Sequence, residues 1–175
     1  MTVFQVVFGL AIFAITRQYY IQDSGNVSDE PNGVAQSESS TLSPSTVEDP
    51  NEVARLANES FANKQYDRAA VLYERLLVLG PNNVNAYNNL GITLHYLGRS
   101  TEALSVLDEG VSVDPTHQRI WLTLGFVNSQ LGNTDQARAA LRTATELDAD
   151  SDVGQTAATM LESLPRVVPR LVGSQ

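Results

Sequence analysis

From Pro50 onward apolar residues recur at helical spacing and are interrupted at regular intervals. The pattern predicts helices over 51–63, 67–79, 84–97, 101–113, 118–131 and 135–147, with a seventh near 152–163. The interruptions are residues that end helices by backbone chemistry: Gly80-Pro81-Asn82, Gly98, Asp114-Pro115 and Gly132. The first six helices form three pairs that repeat every 34 residues. Leu56, Leu90 and Leu124 fall in step, as do Ala69, Ala103 and Ala137, Gly91 with Gly125, and Pro81 with Pro115. A fixed period of this length marks a solenoid of helical hairpins, none of which buries its apolar face alone. The expected fold is all-α: three hairpin units over 50–83, 84–117 and 118–151, closed by a capping helix over 152–164.

The segment before the repeats differs in pattern. Val3 to Ile15 is apolar except for Gln5, and as a helix Thr2 to Ile21 reaches roughly 30 Å, about one hydrocarbon core. Arg17 can snorkel, and Tyr19 and Tyr20 suit a membrane interface. A cleaved signal peptide is the alternative, which would make the product periplasmic or secreted. It wants a basic start and a small-x-small cleavage site; no basic residue precedes Arg17, and Ala11 and Ala14 are wrongly spaced. Residues 1–21 are therefore expected to be an uncleaved transmembrane anchor. Arg17 on its C-terminal flank then keeps the remainder on the cytoplasmic or stromal side. Residues 22–49 are rich in Ser, Asp, Glu, Gly, Asn and Pro with no basic side chain, and are expected to be a disordered acidic linker. Residues 165–175 carry two prolines and no clear pattern, and are expected to be a flexible tail.

The repeats resemble the tetratricopeptide repeat (TPR) family, whose pattern is W-x2-L-G-x2-Y followed by Ala, Phe and Pro. Val53, Tyr87 and Trp121 occupy the aromatic slot, followed by Leu56, Leu90 and Leu124, then Ala57, Gly91 and Gly125. Ala69, Ala103 and Ala137 are the small mid-repeat residues; Tyr73, Leu107 and Leu141 are the large ones that follow. Pro81 and Pro115 close two repeats, whereas Ala149 replaces proline in the third and is expected to loosen the last junction. Gly110 stands where the family prefers alanine, at an expected cost of ~1 kcal/mol in helix propensity. Val153, Ala157, Met160, Leu161 and Leu164 are expected to form the inner stripe of the capping helix.

Composition narrows the function. The net charge of -9 and a single lysine, Lys64, argue against nucleic acid. The absence of cysteine removes disulfides, thiolate metal sites and cysteine nucleophiles. Asp148, Asp150 and Asp152 alternate like the start of an EF-hand loop, but Val153 and Thr159 replace its glycine and its bidentate glutamate. These carboxylates are expected at a helix end and the next N-cap. His95 and His117 lack an acid–base or metal partner at a recognisable spacing, and His117 is expected to be solvated. No enzyme activity, cofactor, metal or small-molecule substrate is expected.

The resemblance implies that function lies in a concave groove lined by the first helix of each repeat. Carried over, its floor comprises Asn58 and Phe61 in the first repeat, with Asn51, Ala54 and Ala62 beside them. The second repeat supplies Asn85, Asn88, Asn89, Ile92, His95 and Tyr96. The third supplies Arg119, Leu122 and Phe126, with Ser129 and Gln130. Asparagines suit the backbone of an extended peptide, and Phe61, Tyr96 and Phe126 suit apolar anchors. Asn58, Asn89 and Arg119 match part of the carboxylate clamp of chaperone-binding members; Ala54 and Thr123 stand where it needs charge, so no clamp is expected. The expected partner is a protein or peptide, held beside a membrane by the anchor. Anchor, tether and solenoid together resemble tetratricopeptide factors that assist photosystem I assembly and others of bacterial envelope biogenesis. A membrane-bound self-association module, weakly homo-oligomeric, is the alternative.

Overall fold

The computed structural model describes residues 49–165. The expected anchor, the linker up to residue 48 and the tail after Pro165 lie outside the described residues. Seven helices follow one another: α1 (Pro50–Ala62), α2 (Tyr66–Leu79), α3 (Val84–Tyr96), α4 (Ser100–Val113), α5 (Gln118–Gln130), α6 (Thr134–Leu147) and α7 (Asp152–Ser163). Every end falls within one residue of the position the sequence pattern gives. Among the described residues there is no strand, and no helix is long and apolar enough to cross a membrane. Asp49, assigned to the linker by composition, is the N-cap of α1, where its carboxylate accepts the Asn51 N–H at 2.9 Å.

The helices pack as hairpins, α1 on α2, α3 on α4 and α5 on α6; α2 against α3 and α4 against α5 join one hairpin to the next. The first helices also meet directly, α3 with α5 and α5 with α7. Small residues set the approach within a hairpin. A Cβ on Gly91 would lie 2.5 Å from Cγ of Leu107, and one on Gly125 the same distance from Leu141. In the first hairpin Ala57 faces the same role beside Tyr73, both fully buried, and the Tyr73 hydroxyl donates to Asn58 Oδ1 at 2.8 Å.

The three hairpin turns are built alike. In each, the third N–H past the helix reaches back to the last turn: Gln65 to the Ser60 carbonyl (2.8 Å), Arg99 to Leu94 (2.9 Å) and Asn133 to Asn128 (2.9 Å). This closure places the intervening residue in the left-handed region, as a Schellman cap requires. Gly98 (φ 79°) and Gly132 (φ 78°) take it freely, whereas the first repeat puts Lys64 there at φ 58°. A side chain in this conformation costs roughly 1 kcal/mol that glycine avoids.

Two sequence expectations about the junctions are corrected. Gly110 is a packing requirement rather than a lapse in propensity: a Cβ there would run into Cδ1 of Ile120 and lie 2.6 Å from Cβ of Tyr87, where α3, α4 and α5 meet. The junction at Ala149 is not loose, because Gln118 ties it. Its Nε2 donates to the carbonyls of Ala144 (2.7 Å) and Asp148 (2.6 Å), and its Oε1 accepts the Ser151 hydroxyl at 2.8 Å. Ser151, not an aspartate, caps α7 by accepting the Gly154 N–H at 3.0 Å. Gly154 has its own reason, since a Cβ would collide with the Asp148 carbonyl. α7 packs against α6 and α5 through Val153, Ala157 and Met160, which are buried, and Leu161 and Leu164, which are partly so. The ion pairs of Arg55 with Glu52 and Glu59, and of Arg99 with Glu102, are exposed, so each adds little.

Candidate functional site

The first helix of the second repeat directs one stripe toward the first helix of the third. In α3 the stripe is Asn85, Asn88, Ile92 and His95, whose spacing of three, four and three keeps them on one face. At its start, His117 Nε2 lies 3.0 Å from Asn85 Oδ1. In its middle, the Thr123 hydroxyl donates to Asn88 Oδ1 at 2.8 Å. At its end, the His95 ring meets Phe126 at 5.3 Å with an interplanar angle of 81°. One repeat later the equivalent stripe, Arg119, Leu122, Phe126 and Ser129, lies on α5, beside which α7 packs as α5 does beside α3.

Part of the residue set expected to line an open groove is thus enclosed. Phe61, Asn88, Ile92, Leu122 and Phe126 are only 2–4% exposed. The physical reason is that neighbouring first helices touch, so side chains aimed along the concave side also fill the gap between repeats. The face keeps Asn85 exposed and Asn58, Asn89, His95, Tyr96 and Arg119 half-buried. Ala62 and Gln130, at the far end of their helices, are exposed.

The polar groups are committed to one another. Asn58 accepts from Tyr73, and Asn89 accepts from Asn88 Nδ2 at 3.2 Å. Thr123, one of the two uncharged clamp positions, is buried and gives its proton to Asn88. Sequence reasoning missed Tyr66, which opens α2. Its ring stacks on Tyr96 at 5.1 Å and 15°, and Phe61 leans on both at 5.6 Å and 6.0 Å. Burial raises both phenol pKa values, and the Tyr66 charge raises that of Tyr96 further. Tyr66 belongs to a second helix, so no register of first-helix positions reveals it.

His117 corrects the expectation of a solvated side chain. Burial pushes its pKa below the ordinary imidazole range, the Arg119 charge lowers it further, and Asp114 opposes both. His95 is lowered by burial alone, and its Nδ1 lies 2.9 Å from the Ser100 hydroxyl. Asp148 spends one carboxylate oxygen on the N–H groups of Asp150 (3.1 Å) and Ser151 (3.2 Å) in its own turn. Among the described residues no group of three or more His, Cys, Asp or Glu is placed to hold a metal.

Comparison with known proteins agrees with the repeat geometry. The chain is 36% identical over 85 residues to human tetratricopeptide repeat protein 7B, covering 49% of this chain and 10% of that protein. It is 35% identical over 91 residues to mouse DnaJ homolog subfamily C member 7, covering 52% of this chain and 18% of that protein. The chain thus spans less than a fifth of these relatives' length. Among solved structures it resembles PcrH of Pseudomonas aeruginosa, and also PcrH in complex with the chaperone binding region of PopD. The latter match has a TM-score of 0.61 at 23% identity over 70% of this chain and 93% of that one. Finally, the family model described as the cilia and flagella-associated protein 70 middle TPR-like domain matches residues 53–171, well over half of the sequence, and the chain belongs to this TPR-like family.

Proposed function

We propose that this domain is a non-catalytic adaptor that holds a protein or peptide segment against the face of its first helices. One observation carries the reading: the face keeps Asn85 exposed and Asn58, Asn89 and Tyr96 half-buried around a single formal charge, Arg119, a surface suited to an extended segment of low charge. The PcrH complex with a PopD segment, on the same fold, supports a peptide-holding role. Residues 1–21 anchor the protein in a membrane with the domain on the cytoplasmic or stromal side, and the adaptor assists assembly or maintenance of a membrane complex. Crosslinking of the full chain in its native membrane tests this against a variant carrying Ala62→Arg, Asn89→Arg and Gln130→Arg. The expected result is loss of a crosslinked protein; the same proteins in the same amounts refute the docking face. Solubilisation of the protein by alkaline carbonate, or an N-terminus lacking residues 1–21, refutes the anchor.

Self-association is a second reading, favoured by Val71 and Val78 on one face of α2, which are 49% and 71% exposed. A monomer in sedimentation of the full chain sets it aside.

A further inference from the structure

The only two histidines of the sequence, His95 and His117, sit at opposite ends of the same seam, the contact of α3 with α5. His117 precedes α5 and reaches back to Asn85 at the start of α3, while His95 near the end of α3 leans on Phe126 of α5. Between them lie the buried bond of Thr123 to Asn88 and the buried apolar side chains of Ile92 and Leu122. We propose that this seam is a pH-sensitive joint, closed by two neutral imidazoles and loosened when they are protonated.

The geometry gives each ring a reason to stay neutral. With Nε2–H donating to Asn85 Oδ1, His117 turns its Nδ1 into a buried position where it has no hydrogen-bond partner. A proton added there finds no acceptor, and a buried donor left unmade costs more than a bond gained elsewhere. Of the charged groups around it, Arg119 on α5 repels the imidazolium and Asp114 in the preceding turn attracts it; α3 contributes the uncharged amide of Asn85. Asp148 at the far turn is engaged by its own backbone. His95 is half-buried against Tyr96 and Phe126, with the Ser100 hydroxyl from α4 as its polar neighbour. No charged side chain takes part in those contacts, so protonation there sheds hydration without an ionic partner.

Both imidazoles are held below their ordinary value in the folded chain. The unfolded or opened state therefore binds more protons, and stability is lost as pH falls below about 6.5, levelling off once the folded values are passed. This inference is independent of whether the face holds a partner.

Hydrogen exchange on the full chain between pH 7.5 and 5.5, corrected for the intrinsic pH dependence of exchange, tests it. The amides of α3 and α5 are expected to open several-fold more often at the acid end, relative to those of α1 and α2. The His95→Gln, His117→Gln double variant is expected to abolish that difference. A variant that keeps the full pH dependence overturns the proposal. Asp108 on α4 has a carboxyl pKa raised by burial, so Asp108→Asn serves as a background that removes its contribution. Should the double variant fail to fold, proton NMR of the two imidazoles in the unmodified chain decides. Midpoints below 6.5 for both sustain the joint; a midpoint at or above 6.5 for either overturns it.

Discussion

Replacing Gly110 by alanine sets two effects of opposite sign against each other. Intrinsic helix propensity favours alanine by about 1 kcal/mol within α4. Packing opposes it. The new methyl would stand 2.6 Å from Cβ of Tyr87, whereas ordinary contact begins near 3.4 Å. Cβ is fixed to the α3 backbone, so no rotamer relieves the contact, and Ile120 on the other side is fully buried. The helices themselves must part, which puts the cost in the upper half of the ~1–3 kcal/mol typical of overpacking. The net expectation is a loss of about 1–2 kcal/mol, or a melting temperature lower by roughly 4–10 °C. Thermal unfolding of the full chain followed by circular dichroism measures it. Gly80→Ala is the control: the only atom near its Cβ is the Leu76 carbonyl oxygen at 3.8 Å, so its effect stays within about 1 kcal/mol of zero. An unchanged or raised melting temperature for Gly110→Ala would refute the argument that packing at this junction outweighs propensity.

Other substitutions probe the remaining contacts. Thr123→Val removes the donor to Asn88 Oδ1 inside the seam and should cost about 1–3 kcal/mol by leaving a buried polar atom unmade, read from a denaturant midpoint shifted without change in slope. Gln118→Ala releases the carbonyls of Ala144 and Asp148 and the Ser151 hydroxyl; a loss of about 1–2 kcal/mol is expected, with faster hydrogen exchange at the start of α7 than in α1. Gly98→Ala should destabilise by about 1 kcal/mol although its Cβ would meet nothing within 4 Å, because the strain lies in φ; Lys64→Gly should gain up to the same amount. Melting temperatures of the pair check both signs.

The helices were legible because one signal was written three times. Glycine and proline breaks at a 34-residue period fix where each helix stops, and the small residues at Gly91 and Gly125 announce the hairpins. Side-chain commitments were not legible. Whether Asn88 faces a ligand or Thr123 depends on how closely α3 approaches α5, which no spacing within α3 encodes. The need for Gly110 is hidden for the same reason, since propensity is local and the obstacle comes from two other helices. A weaker signal was available: the bonds of His117 to Asn85, Thr123 to Asn88 and Ser151 to Gln118 span 32, 35 and 33 residues. Polar pairs separated by about one period are candidates for the seam between repeats. Lys64 obeys the same arithmetic, standing one period before Gly98 and two before Gly132.

That lysine makes the first hairpin separately observable. It is the sole lysine in the sequence, and it is exposed at the turn joining α1 to α2. A protease that cleaves only after lysine therefore has one place to cut, and that cut separates α1 from the rest of the array. Because the scissile bond lies in a closed turn, cleavage must wait for the turn to open, and in the regime of rapid reclosing its rate reports the free energy of opening. The first repeat thus carries an intrinsic gauge of how firmly its outermost helix is held, one that glycine in the second and third repeats denies them.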